Sequence, residues 1–129
     1  MKRITGLALM FLVAVAATAS AAPRTCTIHP KPGATSEELA VMAKVTRPDA
    51  QRSALATLKD PSKATVKDAE LEAENGCLVY SFDIEVAGKT GVQEVQIDAG
   101  DGKILSSKHE TPKAEAAEKA KDKANAAKN

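Results

Sequence analysis

Two cysteines, two histidines and one run of alternating carboxylates are the residues in this 129-residue chain with types and spacing suited to chemistry. Cys26 and Cys77 form an even pair, and in an oxidising compartment such a pair favours an intramolecular disulfide over free thiols or intermolecular pairing. Closing a loop of roughly fifty residues would contribute about 4 kcal/mol in the chain-entropy model. That is a large share of the stability of a small domain. A metal or redox pair is the sharper alternative, but the cysteines form no CxxC and only His29 and His109 could add nitrogen ligands. His29, between Ile28 and Pro30, reads as a solvated arm residue, and His109-Glu110 reads as surface.

The alternating carboxylates are Asp68, Glu70, Glu72 and Glu74. On one face of a strand they could gather a hard cation or a basic partner, yet side chains two apart stand about 7 Å from each other and point into water. A solvated face is the simpler reading, and weak metal binding by this strand stays in third place among the functions considered. The Asp98-Ala99-Gly100-Asp101-Gly102 segment suggests calcium, but it lacks the alternate oxygen ligands and closing Glu of an EF-hand and reads better as a hairpin turn. No Ser/His/acid set, HExxH or Gly-rich phosphate loop is present. The chain therefore reads as a non-enzyme, with no catalytic residue, no cofactor and no metal site expected.

The elements that position these residues divide the chain into four parts. Residues 1–21 read as a signal peptide: Lys2 and Arg3 start it, Leu7 to Ala17 is apolar but short for a bilayer, and cleavage falls between Ala21 and Ala22. The expected location is periplasmic or secreted, with no membrane span after processing. Removing the leader leaves sixteen Lys plus Arg against seventeen Asp plus Glu, a net of −1. That balance excludes a counterion-release nucleic-acid binder and a polybasic membrane-surface protein. Tyr80 and Phe82 are then the only aromatics, and both read as core. Residues 22–34, rich in Pro and Gly, form an extended arm tied down only if Cys26 is bonded.

Residues 35–110 form the domain. Thr35 and Glu38 make a capping box before a short helix, and Thr46, Pro48 and Asp49 start a second helix reaching Lys59, with Ala50, Ala54, Leu55 and Leu58 as its apolar stripe. Strands follow. Ala69, Leu71 and Ala73 alternate with the carboxylates, and Val66 falls out of step, which predicts a bulge near Lys67 and Asp68. Asn75-Gly76 suits a two-residue hairpin turn. Leu78, Tyr80, Phe82, Ile84 and Val86 point one way on the next strand; Val95, Ile97 and Ala99 continue that face, and a last strand covers Lys103 to Ser107. The class is α+β, a small antiparallel sheet of three to four strands packed on one main helix and preceded by a short helix. The other sheet face is polar and can stay wet. Residues 111–129 are Ala- and Lys-rich with no large apolar side chain, so a fraying or disordered tail is expected.

The run ATVKDAELEAENGCLVYSFDIEVAGKTGVQEVQIDAGDGKIL resembles the PepSY domain, through Leu71, Gly76, Tyr80, Phe82, Glu94, Val95, Asp98, Ala99, Gly102 and Lys103. The likeness covers about residues 45 to 109. Two positions depart from it: Gly100-Asp101-Gly102 stands where Thr usually precedes Gly, and Cys77 stands where a polar residue is more common. The resemblance implies a cystatin-like helix on an antiparallel sheet. It also implies, at fold level only, the peptidase inhibition and chaperoning associated with such modules in metallopeptidase propeptides. Two functions follow as expectations. One is a peptide- or peptidase-binding module that lays an extended segment along the sheet edge at Gly102, Lys103, Ile104, Leu105 and Ser106. The other is a structural or envelope-stress protein with no peptidase target. Oligomeric state is not legible.

Overall fold

A computed structural model describes residues 25–126. The residues read as a signal segment, the expected cleavage point between Ala21 and Ala22 and the first residues of the arm lie outside them. Helices α1 (Ser36–Met42) and α2 (Arg47–Leu55) precede strands β1 (Ala64–Glu74), β2 (Cys77–Val86), β3 (Val92–Asp98) and β4 (Ile104–Glu110), and helix α3 (Pro112–Ala126) follows. The strands form one antiparallel sheet in the order β1-β2-β3-β4. Among the described residues no helix is long and apolar enough to cross a membrane.

Local chemistry explains the helix boundaries. Thr35 and Glu38 form the capping box that starts α1. Thr46 accepts from the Asp49 amide at the start of α2, where Pro48 occupies the first turn. α2 is shorter than the stripe to Lys59 predicts: the amides of Thr57 and Leu58 bond three residues back, and Thr57 Oγ1 donates to Ala54 O at 2.7 Å. These tightened bonds close the last turn and let Leu58 pack against the core outside the helix.

The apolar side of the sheet is filled as its alternation predicts. Leu78, Phe82, Ile84, Val95, Ile97 and Ala99 are fully buried, and so are Ala50 and Ala54 of α2. Their methyl groups let the helix backbone lie close to the strands. The segment between α1 and α2 is stitched to the sheet by Lys44 N and Val45 N, which both donate to Ala99 O, and by Tyr80 Oη, which donates to Val45 O at 2.9 Å. The predicted bulge falls between Val66 and Asp68, and Asn75 and Gly76 both take positive φ in the β1–β2 turn.

Two expectations need correction. The last strand continues past Ser107 to Glu110, because Lys108, His109 and Glu110 pair with Glu94, Gln93 and Val92. The tail is helical rather than disordered: Thr111 Oγ1 accepts from the Ala114 amide, Pro112 sits where a missing N–H is harmless, and residues 112–126 continue as α3. Its high intrinsic helix propensity is realised because the helix returns over the polar face of the sheet. That face is consequently roofed on one side and is not simply wet.

Candidate functional site

Three places in the fold gather polar or reactive groups. The first is the junction of arm and sheet. Cys26 and Cys77 are bonded, with their Cα atoms 5.9 Å apart. Around the bond the arm forms a small mixed structure of its own. Ile28 O accepts from Leu78 N, the Ile28 side chain joins the core cluster, and His29 Nδ1 lies 2.9 Å from Gly76 O. Thr27 donates to Asp98 twice, from its amide to Oδ2 at 2.8 Å and from Oγ1 to Oδ1 at 2.6 Å. Gly100 N donates to the same carboxylate at 2.7 Å.

Asp98 is buried, and desolvation pushes its carboxyl up; the bonds from Thr27, Gly100 and Asp101 outweigh that and hold it below the ordinary aspartate value. Gly100 is required here by crowding: a Cβ at that position would collide with Thr27 Oγ1. The segment that suggested calcium is thus a turn whose acid holds the arm. Cys26, His29 and Cys77 are mutually close enough for a metal, but both sulfurs are committed to the disulfide.

The second place is the edge of the sheet. The strand order leaves β1 and β4 as edges. β1 is broken by its bulge and partly covered, since Arg47 Nη1 donates to Ala69 O at 2.7 Å. Along β4 no strand pairs on the outer side among the described residues. The expected binding residues divide in two. Gly102 and Lys103 belong to the turn, where Gly102 N donates to Asp98 O and Lys103 O accepts from Asp98 N. Ile104, Leu105 and Ser106 lie on β4, with Leu105 as the extra residue of a bulge between the Ile97–Ile104 and Gln96–Ser106 pairs. Ile104 is 52% exposed, one of two large apolar side chains in the open among the described residues. The bulge was not legible in the sequence, whose alternation in ILSSKHE is too weak to fix a register.

The third place is the polar face beneath α3. The helix encloses a cavity of about 490 Å³ against the sheet, walled by the β1 carboxylates Asp68, Glu70, Glu72 and Glu74 and roofed by Glu118, Lys119, Asp122 and Lys123. The β1 acids do not converge on a point. Three other carboxylates do: Glu94 of β3, Glu110 of β4 and Glu118 of α3 bring oxygens within 4.8 Å of one another. Acidic groups commonly stand together without an ion, and no metal is assigned to them.

Burial pushes Glu94 up to about 7, with repulsion from Glu110, Glu118 and Glu74 adding to it and Lys108 partly offsetting it. Glu110 is raised by desolvation and then by Glu118. Glu72 is raised by burial, against the nearby Ser81 hydroxyl, with Glu74, Glu70 and Asp122 contributing repulsion. Such a group can hold a shared proton near neutral pH. The sequence signals the β1 acids by their alternation, but Glu94, Glu110 and Glu118 are sixteen and eight residues apart and meet only because β4 pairs with β3 and α3 folds back.

Compared with family models, curated proteins and solved structures, the chain finds no match.

Proposed function

We propose that the chain is an exported, non-catalytic binding module of the PepSY type that takes up an extended peptide, such as a segment of a peptidase, along the outer edge of β4. The observation that carries this reading is the unpaired side of β4, next to the half-exposed Ile104. A sheet edge offers a row of main-chain donors and acceptors that a peptide can complete, while alternate side chains supply selectivity. Ile104 lies across from Ile97 on the apolar face, so a peptide side chain placed beside it would extend the core. The disulfide-tied arm supports an oxidising, periplasmic or secreted location. A purely structural role, with the domain as carrier of a free tail, has less support, because α3 lies back on the sheet.

The test is inhibition of a thermolysin-like metallopeptidase, read together with amide chemical shifts of the labelled chain. Inhibition with shifts concentrated in Ile104 to His109, both abolished by Ile104→Asp, is the expected result. No inhibition, or shifts confined to β1, would sink the reading.

A further inference from the structure

Beyond its first residue, Pro112, helix α3 has no apolar side chain larger than Ala, so hydrophobic burial cannot be what holds it over the sheet. What it meets there is charge. Facing it are Asp68, Glu70, Glu72 and Glu74 on β1 and Asp83 on β2. Glu94 on β3 and Glu110 on β4 complete the acidic surface, with Lys108 on β4 as the nearest basic group from the sheet. The helix brings Lys119 and Lys123, which attract this surface, and Glu118 and Asp122, which do not.

Like groups also come close here. Carboxyl oxygens of Glu94, Glu110 and Glu118 lie within 4.8 Å of one another. Three ionised carboxylates at that distance, partly removed from water, repel strongly, whereas a proton shared between two of them turns the contact into a hydrogen bond. We infer that α3 is a proton-operated strap, closed over the acidic sheet face when the Glu94–Glu110–Glu118 cluster carries a proton and released when the cluster is fully ionised.

The direction follows from linkage. A carboxyl whose value is raised in the closed state binds more protons there than in the open state, so closure is favoured at low pH and weakens as pH rises. For Glu94 only the burial that α3 adds and the repulsion from Glu118 depend on closure, while repulsion from Glu110 and Glu74 on the sheet persists in the open state, so the change falls at and below about 7. The strap is reversible and needs no cofactor. Opening it would uncover the Glu70–Glu74 side of the sheet without disturbing the apolar core on the opposite face.

The experiment is 15N relaxation on the full disulfide-bonded chain, in a chelator so that no cation replaces the proton, at about pH 5 and about pH 8. α3 amides should be as rigid as those of β4 at the lower pH and mobile at the higher, with β2 and β3 rigid throughout as the control for folding. Glu118→Gln and Glu94→Gln each remove one charge while keeping the shape, and should keep α3 ordered at both pH values. Equal order of α3 at both pH values in the parent chain would overturn the strap, as would disorder at both. So would Gln variants that lose order on raising the pH as much as the parent does.

Discussion

The two ends of the described chain lie on the same sheet and are held there by opposite means. The N-terminal arm contributes only a few residues, yet it is fixed by a covalent bond, by Ile28 in the core and by an ionised, buried acid that collects donors from Thr27, Gly100 and Asp101. The C-terminal helix contributes fifteen residues with no apolar anchor, and it rests on a charged surface. Length is therefore a poor guide to attachment. A short segment that satisfies a buried group is bound more firmly than a long one whose contacts are solvated charges. The protonation chemistry is opposite as well. Asp98 holds the arm in its ionised form, while the Glu94 cluster favours the helix in its protonated form.

The comparison can be broken most severely at the disulfide. Replacing Cys26 and Cys77 together by Ala should lower the unfolding free energy by about 4 kcal/mol relative to the disulfide-bonded parent, the value for releasing a loop of this length, read from urea melts in which the reduced parent should match the variant. Next is Asp98→Ala. It strands the Thr27 and Gly100 donors and should cost about 2 to 3 kcal/mol. The arm amides should then exchange quickly even though the disulfide is intact.

The parent chain itself should show the Asp98 contribution in full above the ordinary aspartate value of 3.8 and lose it as acid titrates the lowered group. An acid melt of Asp98→Ala that stays parallel to the parent's would contradict this. A smaller loss is expected for Gly100→Ala, about 1 to 2 kcal/mol, because the added methyl pushes Thr27 from its seat. Thr27→Ser should not show that loss.

The smallest effect sharpens the contrast from the other side. Ending the chain after Thr111 removes α3 and should change the urea midpoint of the sheet by less than about 0.5 kcal/mol at neutral pH, since only solvated charge contacts are lost. A loss comparable to that of Asp98→Ala would mean that the helix is part of the folding unit.

Much of the fold could be read from local signals. The capping box at Thr35 and Glu38, Pro48 in the first turn of α2 and Asn75-Gly76 each act within a few residues, and each stands where the sequence puts it. The bulge at Val66 was visible because it breaks an otherwise regular alternation. The disulfide was legible from cysteine number and expected compartment, though its surroundings were not. Nothing near Thr27 announces a bond to Asp98, seventy-one residues away. The candidate edge was located only in part, because Leu105 bulges and Gly102 and Lys103 belong to a turn.

What the sequence determined by itself is the order of elements, the apolar face and the pair of cysteines, since period, turn chemistry and residue count are properties of neighbouring positions. Only the tertiary structure decided that the tail is a helix over the polar face, that Glu94, Glu110 and Glu118 share one small volume, and that Asp98 anchors the arm. These depend on strand pairing and chain reversal bringing distant residues together. The energy of a carboxyl is set by the groups and the water around it, and those are known only once the chain has folded.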